Sequence, residues 1–523
     1  MNKIISLGLY FVIAFSVLAF GSQEVWAASV VKFVVFLLLI ISINRDSAPF
    51  YQQGTQSLFL SGTTAIWIPA VFFLSLILFQ LVPLPASVLK IVSPATYDLY
   101  LDTGVWEIES GDGYQWRSIS IHTQATFMMF LNMLAYWGIF FIVIHFKKKD
   151  FPGFAQAGNG RHDTIRSNNR KKGAVPVIAV FLGLIWTIFF LGLFNALFSF
   201  LQGASGGQIQ WLRPLAPLGE YLGTFKSPNN FSEFLEMVIP LTMGLLIVRN
   251  YMDVKRFSHH LSTKYARIAA LFSKTGFLSF GIIILISALY LSLCRGGFVT
   301  FPLTILLTLL FMVVSYRLHD RYSFFLFGLV VVGGVTYLTW LGIGPVIQEA
   351  LTLLGPKLRP ITYSDAIDII TDYPIFGVGF GCWQDIILKY HSMLGRETWV
   401  PAIAYNDTLQ LTAETGLAGF LCMVAFLFMI YRKAITALRR GKDVIVQALI
   451  LGGIAAMSAA LIHSQFDYFF YLPSHAIVFM VIAGMTYRMS CETLNELEIL
   501  TLKRWKVEIA EAGSHERAVP ERP

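Results

Sequence analysis

The sequence predicts an all-α, polytopic integral membrane protein, a helical bundle of about twelve transmembrane helices with a large extracytoplasmic loop containing amphipathic helices. Three observations predict it. Of 523 residues, 56% are hydrophobic and only 13% charged, and the mean hydropathy is +0.64, far from the balance of a soluble domain. Apolar stretches long enough to cross a bilayer recur along the whole chain. Lys and Arg concentrate in alternate connections between them.

The apolar stretches fall near 3–20, 28–44, 64–86, 126–146, 174–202, 230–249, 275–294, 297–316, 323–345, 406–431, 444–463 and 471–489. Lipid gives the backbone no hydrogen-bond partners, so each must close its bonds internally as a helix. With the N-terminus inside, the cytoplasmic connections carry Lys147, Lys148, Lys149, Arg166, Arg170, Lys171 and Lys172, then Lys255, Arg256, Lys264 and Arg267, then Arg317 and Arg321, then Arg432, Lys433, Arg439, Arg440 and Lys442. The net charge of +8 is therefore a topology signal, and no nucleic-acid site is read from it. Met1–Ala28 combines Lys3, an apolar core and Val25-Trp26-Ala27, which resembles a signal-peptidase site. The expectation is an uncut first helix.

That sidedness puts Arg295 of LSLCRGG at a tight outer turn, where Gly296 and Gly297 are expected to supply the backbone angles of the reversal. Charge inside a membrane costs about 2.5–3.5 kcal/mol and usually marks a substrate or ion path, so Arg295 is read as functional over a snorkelling arginine. The outer stretch GASGGQIQWLRPLAPLGEYLGTFKSPNNFSEFLEM adds Arg213 and Lys226, then Asn229 and a helix expected to start near Asn230. Asn230 and Glu233 resemble a capping box, and the deeper Glu236 needs a cation.

The outer loop near 345–405 contains LRPITYSDAIDIITDYP. Ile361, Ala366, Ile367, Ile369 and Ile370 are expected on one face of an amphipathic helix, with Asp365, Asp368 and Asp372 opposite and Pro374 ending it. A solvated acidic face is favoured over a metal site there. GVGFG, Gly377 to Gly381, is by itself a weak signal. In YNDTLQLTAETGLAGF, Asn406, Gln410 and Glu414 recur every four residues and share a helix face, lining a wet cavity or bonding other helices. In HSQFDYFFYLPSHAIVF, His463 and Asp467 stand four apart and touch if helical. Cys294, Cys382, Cys422 and Cys491 lack metal-like spacing and read as free thiols.

LSLCRGG, GTFKSPNNFSEFLEM, LRPITYSDAIDIITDYPIFGVGFG, YNDTLQLTAETGLAGF and HSQFDYFFYLPSHAIVF, in this order over about residues 222–480, resemble the O-antigen ligase and Wzy-type O-antigen polymerase superfamily, bacterial membrane glycan ligase-polymerases of the broad GT-C class. QLVPLPASVLKIVSPATYDLY resembles an outer loop of some members.

The resemblance implies a glycosyltransferase of the bacterial inner membrane, its active site facing the periplasm. The donor would be an undecaprenyl-pyrophosphate-linked oligosaccharide and the acceptor a glycan or lipid A core, with no cofactor and no metal. It divides the chain into N-terminal transmembrane helices (1–205, with outer loop 87–125 and basic loop 147–173), a catalytic transmembrane region (206–490) and a cytoplasmic tail (491–523) with one short helical stretch. Arg295, Arg213, Arg359 and Lys226 become pyrophosphate-binding candidates, because fixed cations stabilise a departing diphosphate and guanidinium grips it in a fork. Arg295, Arg359, Tyr405, Asn406 and His463 are the catalytic candidates; Asn229, Glu236, Gln410, Glu414 and Asp467 are acceptor or cavity groups.

Members commonly carry His-Asn where this chain has Tyr405-Asn406, and tyrosine is a poor base at neutral pH. His463, Glu414, Asp407 and His391 are the substitutes, and the change favours a polymerase over a lipid A core ligase. A lipid-linked oligosaccharide flippase is the rival of another class; outer-end clustering of polar residues favours the enzyme.

Overall fold

The computed structural model describes residues 2–47, 64–103, 116–146, 175–211, 221–315, 359–391 and 401–516, with isolated positions between 318 and 347. In chain order the first helices are α1 (Asn2–Leu18), α2 (Val25–Ser47), α3 (Trp67–Leu81), α4 (Ala86–Val92), α5 (Pro94–Asp102), α6 (Thr123–Ile144) and α7 (Val175–Ala204). Then come α8 (Pro228–Phe257), α9 (Thr263–Leu271), α10 (Lys274–Leu291) and α11 (Arg295–Val314). The last are α12 (Arg359–Asp372), α13 (Trp383–Tyr390), α14 (Asp407–Arg440), α15 (Val444–His463) and α16 (Pro473–Glu516).

Among the described residues nine helices are long and apolar enough to cross a membrane, and α1 and α3 are shorter apolar helices. They account for eleven of the twelve expected spans. The expected span at 323–345 lies mostly outside the described residues, as do Arg213 and the basic loop 147–173. The protein is an all-α, polytopic membrane bundle. Its strand content, among the described residues, is one antiparallel pair, β1 (Leu84–Pro85) with β2 (Trp116–Arg117), which ties the α3–α4 corner to the segment entering α6.

α8 is the axis of the bundle, with its apolar window buried all along its length. It packs on α15 through small residues: a Cβ on Gly244 would stand 2.6 Å from the Ala448 carbonyl oxygen and 3.0 Å from Gly452 Cα. In lipid, where burial of apolar surface does not drive helices together, such close approach is how they gain van der Waals contact. Arg249, Lys255 and Arg256 near the end of α8, Lys274 at the start of α10, Arg439 and Arg440 in the last turn of α14 and Lys442 just after it gather at one end of the bundle. The turns that carry the polar sequence motifs gather at the other.

Three expectations change. The capping box at Asn230 and Glu233 is not formed: Ser227 caps α8, accepting from Asn229 N at 3.2 Å, and Pro228 takes the first turn. Starting two residues earlier turns Asn230 and Glu233 inward, both 0% exposed. The short helical stretch expected in the tail is the end of one helix, α16, continuous to Glu516.

α12 ends at Asp372, before Pro374, as expected, but its buried stripe is Thr362, Asp365, Ala366, Ile369 and Tyr373, while Ile367 is exposed. Asp365 is inside because His391 Nδ1 lies 2.9 Å from its Oδ2, a polar pair that repays burial. Asp365→Ala should therefore cost about 1–3 kcal/mol by stranding His391, whereas Asp368→Ala on the exposed face should stay within about 0.5 kcal/mol. Thermal unfolding of the two purified variants checks the contrast.

Candidate active site

The polar end is built from helix termini. α10 stops at Leu291, Leu293 takes a left-handed conformation (φ 54°), and α11 restarts at Arg295. Gly296 and Gly297, expected to supply unusual angles, are instead the first turn of α11, and what they supply is space. A Cβ on Gly296 would stand 2.6 Å from His463 Nε2, and one on Gly297 would stand 2.6 Å from Ser232 Oγ and 3.1 Å from Glu236 Oε1. The motif lets the α11 backbone lie directly on the polar side chains of α8 and α15. Arg295 itself is exposed.

Below that turn is a buried cluster. His463, the last residue of α15, donates its Nδ1 proton to Glu236, whose two oxygens lie 3.0 and 2.9 Å away. Ser232 Oγ adds a 3.1 Å bond to Glu236. Glu236 thus has the cationic or proton-donating partner that its depth required. Glu233, one turn up, lies 3.4 Å from His463 Nε2 through Oε1 and 3.4 Å from His475 Nε2 through Oε2, and neither oxygen accepts a hydrogen bond. His475 spends its Nε2 proton on the Asn230 carbonyl at 2.9 Å.

Asp467 lies past the end of α15, with its backbone N bonded to the His463 carbonyl. Its Oδ2 accepts from Asn229 Nδ2 at 2.6 Å. Tyr468 beside it accepts from Asn230 Nδ2, and burial pushes its hydroxyl up to about 12, so it stays protonated.

A second polar nest forms at the start of α14. Asn406 caps the helix, accepting from Leu409 N at 3.0 Å. Tyr405 is left-handed (φ 52°) and its carbonyl accepts from Tyr363 OH. Gln410 accepts from Ala404 N, and Glu414 accepts from Trp383 N at 3.0 Å and from Tyr471 OH at 2.6 Å. Burial and the Glu414 carboxylate hold the Tyr471 hydroxyl well above its usual range, so it remains a donor. The stripe Asn406–Gln410–Glu414 thus satisfies backbone and loop groups, as helix-bonding side chains do.

The GVGFG loop is the partner of this nest. Val378 N bonds the Ala413 carbonyl and Gly379 N the Glu414 carbonyl, alongside a break in α14 at Gly416 (φ 65°). Gln80 of α3 pins both sides, donating to the Phe376 and Glu414 carbonyls at 2.6 and 2.8 Å and accepting from Phe380 N. The α15–α16 connection joins nest and cluster: Asp407 N bonds the Ser464 carbonyl, and Asp407 Oδ2 accepts from Phe469 N and Phe470 N. Beside it runs an apolar cleft of about 120 Å³ between α6, α14, α15 and α16, with Asp407, Thr408 and Gln465 among its lining and Phe426, Phe470 and Phe479 giving its apolar walls.

The site therefore collects Asn229, Glu236, His463 and Asp467 in one cluster, with the Arg295 turn over it, and Tyr405, Asn406, Gln410 and Glu414 in the neighbouring nest. Lys226 lies apart, 2.7 Å from Glu24. Arg359 begins α12. The four described cysteines are free thiols, and burial raises the Cys382 thiol to about 11, keeping it protonated. Sequence reasoning missed Glu233, His475 and Gln80 as members. The spacing of Glu233 and Glu236, three apart, was a signal for a shared face.

Residues 280–424 match the family model described as O-antigen ligase (Wzy_C). Over that segment the chain is similar to the O-antigen ligases. The segment contains the Arg295 turn, α12, the GVGFG loop and the first half of α14. The recognition by motif therefore agrees with the family model, and this similarity supports a role of ligase or polymerase type in glycan biosynthesis. No curated protein matches the chain.

Proposed function

We propose that the protein is a glycosyltransferase that transfers or polymerises undecaprenyl-pyrophosphate-linked glycan at the outer face of the bacterial cytoplasmic membrane. The observation that carries this reading is Arg295: an exposed, permanently charged guanidinium at the first residue of α11, inside the segment similar to the O-antigen ligases. The basic residues at the far end of the bundle favour a cytoplasmic far end, which leaves the Arg295 end facing the periplasm.

In this reading an acceptor hydroxyl oxygen attacks the anomeric carbon of the donor sugar. The bond from that carbon to the pyrophosphate oxygen breaks, and undecaprenyl pyrophosphate leaves with the electron pair. Arg295 meets the growing charge on the diphosphate, with Arg359 and Arg213 as further candidates. Lys226 is a weaker candidate because Glu24 already neutralises it. The apolar cleft beside α14 suits the first isoprene units of the carrier.

Of the groups that could take the hydroxyl proton in place of a histidine at position 405, His391 and His463 are buried with Nδ1 against carboxylates. Asp407 lines the cleft, and its Oδ1 accepts no hydrogen bond, which favours it. Tyr405 orients the acceptor.

The test is release of undecaprenyl pyrophosphate by purified protein given a lipid-linked glycan and an acceptor. Arg295→Ala should cut turnover by at least about a hundredfold, the loss typical of one preorganised charge-stabilising group, without loss of expression. Arg295→Lys should recover part of it, because an ammonium keeps the charge and loses the fork. Flipping of the lipid without release, or full activity of Arg295→Ala, would remove the proposal. A ladder of products on the carrier marks a polymerase; one transferred chain marks a ligase.

A further inference from the structure

We infer that Glu233, His463 and Asp467 form a binding site for one divalent first-row transition-metal ion, held by one imidazole nitrogen and two carboxylates. One donor atom from each lies within 4.8 Å of the others, and all three residues are at most 1% exposed. Three polar atoms at its centre, His463 Nε2 and both Glu233 carboxylate oxygens, are fully buried and make no hydrogen bond.

The chemistry of the donors fits a metal better than a bare ion pair. Glu236 takes the Nδ1 proton of His463, which fixes the tautomer whose Nε2 carries a lone pair, and a carboxylate behind a ligating imidazole is the usual support of a metal-bound histidine. Asn229 holds Asp467 Oδ2 in the same supporting way. The 3.4 Å gap from His463 Nε2 to Glu233 Oε1 is what two ligands about 2.0–2.2 Å from one ion leave between them. Any side chain at position 296 would close on Nε2, since a Cβ there would sit 2.6 Å from it.

Charge points the same way. Glu233, Glu236 and Asp467 bring three carboxylates into one buried volume, with His463 and His475 beside them; His475 is spent on a carbonyl. A dication offsets carboxylate charge that a neutral imidazole leaves uncompensated. A mixed nitrogen–oxygen set favours Zn²⁺ or Mn²⁺ over Mg²⁺ and Ca²⁺, which prefer oxygen alone. This departs from the expectation, drawn from resemblance, that no metal is present.

The experiment uses full-length, untagged protein in detergent, stripped with a chelator, then dialysed separately against Zn²⁺ and Mn²⁺. Bound metal is counted by plasma mass spectrometry, and thermal unfolding is followed with and without the ion. The expected result is one ion per chain and a higher unfolding temperature. Glu233→Gln and Asp467→Asn should each lower occupancy at least tenfold, and the exposed pair His259→Ala/His260→Ala should not. If either ligand variant fails to fold, the count on the wild-type chain and its loss on chelation decide.

Wild-type protein binding less than about a tenth of an ion, or Glu233→Gln retaining its ion, overturns the site. These readouts require no glycan, so they stand or fall separately from the proposed transfer reaction.

Discussion

Replacing His463 with alanine should destabilise the protein by about 3–5 kcal/mol, the usual cost of removing one partner from a buried charged pair. His463 is 0% exposed and is the contact that joins α15 to α8 at the polar end. Its removal leaves Glu236, at 1% exposure, with Ser232 as its remaining hydrogen-bond donor, and leaves Glu233 without one of its two histidine neighbours, each 3.4 Å away. His463→Gln, which can still donate to Glu236, should lose less. In a Glu236→Gln background the His463→Ala cost should shrink by more than about 0.5 kcal/mol, because residues in contact couple and distant ones add. Thermal unfolding of the four proteins of this cycle in one detergent measures the coupling. Strict additivity would show that the pair is not a unit.

The bundle was legible in the sequence because its signal is physical and redundant. Every span must hide its backbone from lipid, so the apolar lengths alone locate helices: α10, α11 and α15 fall within about three residues of where they were expected, and α14 starts where expected but runs about nine residues further. The expected basic connections after α8 and α14 follow helices whose last turns are basic. The long continuation of α16 was harder to read, since a polar helix leaving the membrane has no such length constraint.

The site was legible as a list and not as an arrangement. Glu236 needed a cation by its depth, but nothing in the sequence names His463, 227 positions away, as its partner. Asp365 was assigned to a solvated face because it is charged; its partner His391 overrides that, and a pairing across the chain leaves no periodicity to detect. Glu233 was absorbed into a plausible cap because Asn230-x-x-Glu233 fits the pattern. Ser227-Pro228 one turn earlier is the stronger start, since Pro there has no N–H to leave unbonded. Gly296 shows the same limit from the other side, as a glycine required for a neighbour's approach looks identical to one required for a turn.

Gly416→Ala should cost about 2–6 kcal/mol, combining backbone strain of about 1–3 kcal/mol with overpacking of about 1–3 kcal/mol. Its backbone (φ 65°, ψ −177°) lies in a region reserved almost entirely for glycine, and an added Cβ would stand 2.1 Å from the Ile375 carbonyl oxygen and 2.6 Å from Phe376 N. These are backbone atoms, so no rotamer change relieves the clash. Both sides are also fixed: Leu417 N and Ala418 N bond the Pro374 and Ile375 carbonyls, and Gln80 holds Phe376 and Phe380. Relief would have to break the joint between α14 and the GVGFG loop. Gly206→Ala separates the two terms, because Gly206 is left-handed (φ 61°) with nothing within 4 Å of its added Cβ. It should cost only the conformational part, about 1–2 kcal/mol. Gly377→Ala, whose Cβ would meet Glu414 C at 2.3 Å from the opposite side of the same joint, should match Gly416→Ala. Thermal unfolding ranks the three, and equal losses at 206 and 416 would mean that the joint yields and that steric contact with the loop does not hold the break in α14.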